Sequence, residues 1–225
     1  MKAIAIIPAG GKGIRSGFSA PKQYLKIKGK ELIVYTLEVF QKNKSINEIV
    51  IAADKNYFHL LEKLKKKYKL TKIKKIVEGG RERQDSVFNA LNSITTGKKD
   101  LIVVHDAARP LLTGKILTNA IITAKKKGNA LVCIKAKDTL IKGRETVGSY
   151  LSRDEIYFVQ TPQIFRYSEL KNAMEKAFKE NFLGTDESML VSRLGKKIHL
   201  AEGSTINFKV TTGEDIVILK RILAG

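Results

Sequence analysis

The sequence predicts a doubly wound α/β fold, a Rossmann-like mixed sheet with helices on both faces. Three observations point there. Short β-branched runs alternate five times with longer amphipathic ones in the first 136 residues. Several of the short runs are apolar on both faces, as buried parallel strands require. A glycine-rich turn directly follows the first of them, at the strand end where such sheets bind ligands.

Residues 2–7 (KAIAII), 48–53 (EIVIAA), 73–77, 101–105 (LIVVH) and 130–136 (ALVCIKA) read as strands. Between them, residues 31–41, 56–68, 82–94 and 114–127 carry apolar side chains at helical spacing. In 82–94 these are Val87, Leu91 and Ile94, on a helix whose first turn holds Glu82, Asp85 and Ser86. After Ala136 the pattern breaks. Residues 137–153 (KDTLIKG onward) are polar and turn-rich and predict a protruding hairpin or arm. A strand at 157–160, helices over 168–180 and 186–193, and a last helix from 213 complete a single domain spanning 1–225.

Composition narrows the function. At 225 residues with 43% hydrophobic content the chain is long enough for a real core. No apolar run approaches a membrane span, and the start is too short and Gly-rich for a signal peptide, so a membrane role is not expected. The single Cys133 and three scattered histidines exclude a disulfide framework and a Cys/His zinc site, and point to a reducing cytoplasm. The net charge of +20 is extreme, yet 33 of the 42 basic residues are Lys and 9 are Arg. Clusters such as Lys65–Lys67 and Lys125–Lys127 lack interleaved aromatics, so a solvated basic surface and an anionic small substrate are expected rather than nucleic acid.

The chemical signal begins at Pro8-Ala-Gly-Gly-Lys-Gly-Ile-Arg15. Glycines let backbone N–H groups approach a phosphate. A Walker loop lacks its closing Lys-Ser/Thr here, and a dinucleotide loop finds Ser16 in place of its third Gly, with Glu31 at a helix start. A nucleoside-triphosphate loop with its own cations, Arg15 and then Lys22, is the third reading, beside a plain tight turn. Asp106 ends an apolar strand where a bare carboxylate is costly, so it needs Mg2+ or Arg109 as partner. Lys209 stands at a strand end, either structural or a phosphate ligand. Ser86 lies where it either caps a helix or faces a ligand, and His105 reads as structural.

The A-G-G-K-G-x-R start, Pro21-Lys22-Gln23-Tyr24-Leu25, Gly79-Gly80-Arg81-Glu82-Arg83-Gln84-Asp85-Ser86, His105-Asp106-Ala107-Ala108-Arg109-Pro110, Gln160-Thr161-Pro162-Gln163, Thr185-Asp186-Glu187 and Asn207-Phe208-Lys209-Val210-Thr211 occur in this order. They resemble the 2-C-methyl-D-erythritol 4-phosphate cytidylyltransferase family over residues 3 to about 218, among nucleotidyltransferases of GT-A-like fold. The resemblance implies CTP and a polyol phosphate as substrates in non-mevalonate isoprenoid synthesis, with Mg2+ bridging the triphosphate and, secondarily, touching Asp106. It implies Arg15, Lys22 and Lys209 as catalytic cations. Ala9, Gly10, Gly11, Gly13, Gly80, Ser86, Asp106 and Ala107 would line the nucleotide, and Arg109, Thr139, Arg153, Thr161 and Thr185 the second substrate. It also implies a homodimer in which the 137–153 arm completes the partner's site. Gly10 stands where many members have Ala, and Arg81 where some have an acid, so no nucleotide contact is carried onto Arg81. Ribitol-5-phosphate cytidylyltransferases share most of the motifs and are the alternative. A basic nucleotide- or RNA-binding module without catalysis is the alternative of another class, against which Arg15, Lys22 and Lys209 speak.

Overall fold

The computed structural model describes residues 1–11 and 20–224. The first strand, β1 (Ala3–Pro8), is followed by a small hairpin of β2 (Lys26–Ile27) and β3 (Lys30–Glu31). Then come α1 (Leu32–Lys42), β4 (Glu48–Ala53), α2 (Phe58–Lys67), β5 (Ile73–Glu78), α3 (Arg83–Asn92), β6 (Leu101–Val104), α4 (Gly114–Lys127) and β7 (Asn129–Lys135). An arm of β8 (Leu140–Gly143) and β9 (Val147–Leu151) leads into β10 (Tyr157–Arg166), α5 (Tyr167–Lys179), α6 (Glu187–Ser192), β11 (Leu200–Glu202) and α7 (Gly213–Ile222).

The main sheet has seven strands in the order β11-β7-β10-β6-β1-β4-β5. Strand β10 runs antiparallel to β6 and β7, and the other pairs are parallel. From β1 the chain moves outward to β4 and β5, then crosses back to β6 on the other side of β1. That reversal opens a crevice beyond the C-terminal ends of β1 and β6, the usual ligand position in such sheets.

Alternate residues explain the two-sided burial. Ala3, Ala5 and Ile7 of β1 pack with Ile33, Leu37 and Phe40 of α1 and with Leu117 and Ile121 of α4. Ile4 and Ile6 face the other way, onto Val87 and Leu91 of α3 and onto Leu170 and Met174 of α5. At roughly 1.5–3 kcal/mol per fully buried large aliphatic side chain, these two layers supply the main favourable term of the fold. A third cluster joins Ile27 and Leu32 to Ala108, Val210, Ile216 and Leu219, so α7 clamps the segment that carries Lys209. The lysine runs have a structural reason. Lys65–Lys67 and Lys125–Lys127 occupy the last turns of α2 and α4, where cations meet the negative helix end, and α4 stops at Gly128 with φ +95°.

Two features differ from expectation. The strand read over 157–160 runs on to Arg166, so the Gln160-Thr161-Pro162-Gln163 motif is part of β10, inserted between β6 and β7. The β2–β3 hairpin and β11 had no periodic signal, being two or three residues long. The 137–153 segment is a hairpin as expected, pairing Leu140 with Leu151 and Ile141 with Tyr150 outside the main sheet. It exposes Ile141, Val147 and Tyr150, the last 72% accessible. Among the described residues, no helix is long and apolar enough to cross a membrane.

Candidate active site

Strand β1 delivers Ala9, Gly10 and Gly11 to the crevice; Gly13 and Arg15 lie outside the described residues. The returning segment is tied down at once. The buried Gln23 amide donates to the carbonyls of Ala9 (2.7 Å) and Gly11 (2.9 Å), and the Tyr24 hydroxyl donates to Ala9 as well (3.2 Å). Tyr24 in turn stacks on Tyr57 with centroids 4.1 Å apart. Lys22 opens the single helical turn that carries Gln23 and Tyr24, so this turn is tied to the backbone at Ala9 and Gly11.

Beside it, the turn after β5 brings Gly79 and Gly80. Their backbone sits so close to Ser86 that a Cβ on Gly79 would lie 3.0 Å from its Oγ. On Gly10 a Cβ would lie 3.4 Å from the same atom, ordinary contact, so an alanine would fit there too. Ser86 does not cap α3. The cap is a reciprocal pair, Glu82 and Asp85, while the Ser86 Oγ accepts from the Gly80 N–H (3.0 Å) and donates to the Glu82 carbonyl (3.1 Å).

Among the described residues, a dense charge cluster lies past β6. Asp106 is buried and accepts from Arg83 Nε at Oδ1 (2.8 Å) and pairs with Lys209 Nζ at Oδ2 (2.8 Å). The guanidinium fork of Arg83 also holds Glu187, with Nη1 at 2.6 Å and Nη2 at 3.1 Å. Burial opposes charge on Asp106, but Arg83 and Lys209 hold its carboxyl far below the usual carboxylate range. Burial likewise opposes charge on Arg83, and Glu187 and Asp106 more than reverse it. Arg109, expected as the partner of Asp106, is only the third cation: its Nε stays 3.9 Å away and its Nη1 donates to the Asn207 carbonyl (2.7 Å). Burial lowers the Arg109 pKa, Asp106 opposing it. Its Nε is a buried donor without a hydrogen-bond partner.

The Lys209 segment is sewn onto this frame. Asn207 donates to the Thr161 carbonyl (2.9 Å) and to Gln160 (3.2 Å), and the Val210 N–H donates to the Ala108 carbonyl (2.8 Å). The Thr161 hydroxyl accepts from the Asp106 N–H (3.2 Å) and bonds His105 Nδ1 (2.9 Å), so His105 and Thr161 shape the Asp106 turn from beneath. Thr185 is exposed just before Asp186, whose carboxylate caps α6. Thr139 and Arg153 stand exposed in the arm, where the Arg153 hydrogen bond returns to the Lys137 carbonyl.

The metal expectation for Asp106, Mg2+ held mainly by the triphosphate, bears on a carboxylate that cations of the protein already engage. Both of its oxygens are engaged by cations, and among the described residues no group of three His, Cys, Asp or Glu could hold a metal ion. The donor set does not fit a resident metal. Arg83 and Glu187, unassigned from the sequence although both lie in the quoted motifs, prove to be central to the cluster. A cavity of about 600 Å³ opens elsewhere, between β7 and β11 near Cys133, Tyr157 and Ser204, and includes none of these charged residues.

Comparison with known proteins agrees over the whole length. Residues 3–224 match the family model described as IspD, 2-C-methyl-D-erythritol 4-phosphate cytidylyltransferase. Proteins of that name from Geobacter metallireducens and Clostridium botulinum (strain Langeland) are each 40% identical, covering 99% and 97% of this chain and 98% and 96% of their own. The Thermus thermophilus cytidylyltransferase structure superposes with a TM-score of 0.82 at 27% identity, covering 100% of both chains. The 4-diphosphocytidyl-2C-methyl-D-erythritol synthase of Anaerococcus prevotii gives 0.87 at 26%, covering 100% of this chain and 96% of that one.

Proposed function

The chain belongs to the 2-C-methyl-D-erythritol 4-phosphate cytidylyltransferase family, and from that premise we infer how its residues carry the reaction. A phosphate oxygen of 2-C-methyl-D-erythritol 4-phosphate attacks the α-phosphorus of CTP. The bond to the bridging oxygen breaks, pyrophosphate leaves, and 4-diphosphocytidyl-2-C-methyl-D-erythritol forms, a step of non-mevalonate isoprenoid synthesis. The nucleophile is an anion at neutral pH, so the chain needs no general base. It has to bring two polyanions together and hold the charge that grows on the α-phosphate and the leaving group.

The observation that carries this assignment is the convergence of Arg83, Lys209 and Arg109 on one buried carboxylate at the C-terminal end of β6, the strand paired with β1. In our reading, Arg15 and Lys22 face the triphosphate and Lys209 the phosphates at the reacting centre. Ala9, Gly10, Gly80, Ser86 and Ala107 form the small wall around cytosine and ribose. The Ala9 carbonyl already takes two donors and the Ala107 carbonyl takes the Thr36 hydroxyl (3.0 Å), so these two residues contribute shape. Arg109, Thr161 and Thr185 flank the polyol phosphate from within the chain. The divalent cation is read as arriving on the triphosphate, as part of the substrate.

Thr139 and Arg153 are read as serving a partner's site in a homodimer. The support is an arm that exposes Ile141, Val147 and Tyr150, continued by Tyr157 and Phe158. The compartment is read as cytoplasmic, supported by the buried free thiol of Cys133. Pyrophosphate release measured for CTP, UTP, ATP and GTP against methylerythritol phosphate and ribitol phosphate tests the assignment. CTP with methylerythritol phosphate should dominate; preference for ribitol phosphate, or comparable turnover with UTP, would overturn it.

A further inference from the structure

We propose that Arg83 and Glu187 are positioning residues for this reaction: Glu187 locks the Arg83 fork, which fixes the Asp106 carboxylate, which presents Lys209 to the crevice. The inference rests on the function assigned above. Every nitrogen of the Arg83 guanidinium is committed, Nε to Asp106 and both Nη to Glu187. These bonds take three of its five N–H donors and aim all three nitrogens at carboxylates, so the part Arg83 plays in the chemistry runs through Asp106. Asp106 Oδ2, on the far side of the same carboxylate, is where Lys209 is held at 2.8 Å.

Stability alone does not account for this choice of residues. Arg83 is the first residue of α3, where a cation is opposed by the positive end of the helix. The Glu187 side chain is only 1% exposed, and a buried pair of this kind adds little over apolar packing of the same volume. What a bidentate, planar fork does supply is orientation, which a lysine cannot reproduce. The chain of contacts also divides the labour. Arg83 answers one oxygen of Asp106, so the carboxylate does not collapse onto Lys209 and Arg109 together. The Arg109 Nε remains 3.9 Å from it and Lys209 stays partly exposed to the crevice. Glu187 sits at the start of α6, two residues after Thr185, so the same link ties the Asp106 turn to the segment read as flanking the polyol.

The test is steady-state kinetics on Glu187→Gln and Arg83→Lys, each alone and with Lys209→Gln, alongside melting curves. A small misplacement of a reacting group costs on the order of 10²-fold, so each single variant should lose about 10- to 100-fold in kcat with the KM for CTP little changed. In the Lys209→Gln background the same substitutions should cost under about threefold more, because the group they serve is gone. Full additivity with Lys209→Gln, or a kcat for folded Arg83→Lys and Glu187→Gln within about twofold of the unsubstituted enzyme, would overturn the proposal. A crystal structure of Glu187→Gln reads it without turnover. The Arg83–Asp106 and Asp106–Lys209 contacts, both 2.8 Å here, should lengthen or reorient, and unchanged contacts would refute it. An unsubstituted enzyme that releases no pyrophosphate from CTP and methylerythritol phosphate refutes the assigned function instead, and the crystallographic result still decides the positioning claim.

Discussion

Acid should weaken this fold by a defined increment that passes through His105. The imidazole is fully buried and packs against Phe40 with ring centroids 5.3 Å apart. Its Nε2 donates to the Arg109 carbonyl (3.2 Å), and its Nδ1 accepts from the Thr161 hydroxyl. Burial lowers its pKa from 6.5 to about 4; the Asp106 charge and the two hydrogen bonds oppose that shift, and the Arg109 charge adds to it. Because the folded state binds its proton less readily than the unfolded chain, this contribution is complete above about pH 6.5. It drains away as pH falls and is gone below about pH 4. At 1.36 kcal/mol per pH unit the displacement is worth about 3 kcal/mol, a large share of a typical 5–15 kcal/mol stability. Urea unfolding at pH 7, 6, 5 and 4, followed by circular dichroism, should be run on the unsubstituted protein and on His105→Gln. Carboxylates titrate in both and cancel in the difference. The stability advantage of the histidine protein should shrink by about 3 kcal/mol between pH 7 and pH 4. A difference that stays constant across that range would refute the reasoning.

Lys22→Ala and Arg15→Ala should each lower kcat by roughly 10²-fold with little change in melting temperature, and an effect confined to KM would assign them to ground-state binding alone. Arg15→Ala and Arg153→Ala homodimers should both be nearly inactive, yet mixing them under subunit exchange should restore up to about half of the activity per mixed dimer, since both lesions fall on one site. No recovery would mean that the sites are built within one chain. Gly80→Ala places a Cβ 2.1 Å from the Asp85 Cβ, so it should break the α3 capping pair, cost about 1 kcal/mol and raise the KM for CTP; an unaltered melting curve would count against it. Calorimetric titration of Mg2+ into the nucleotide-free protein should show no stoichiometric site, whereas Mg2+ with CTP should bind; tight binding of Mg2+ alone would return a metal to Asp106.

The amino-acid sequence alone determined the strand–helix alternation, the two-faced strands, the glycine loop after β1 and the protruding hairpin. These are local properties, written in periods of two and 3.6 residues and in where glycine and proline stand. It also placed Lys22, Lys209 and Asp106 in motifs of recognisable order. It did not distinguish which partner Asp106 takes. Arg109, three residues along, was the natural choice, but the turn after β6 points that guanidinium toward the Asn207 carbonyl, and Arg83 arrives from the first turn of α3. Glu187 meets Arg83 across 104 residues of chain, and Thr161 reaches Asp106 across 55. Those meetings depend on β10 entering antiparallel between β6 and β7, which brings Thr161 beneath the Asp106 turn, and on Gln163 of that strand bonding Asp186 and Ser188 at the start of α6. Periodicity records which face of an element is buried. Only the assembled sheet decides which charge stands across from which, because a charge pair depends on distance in space and the spacing of residues along the chain carries none of it.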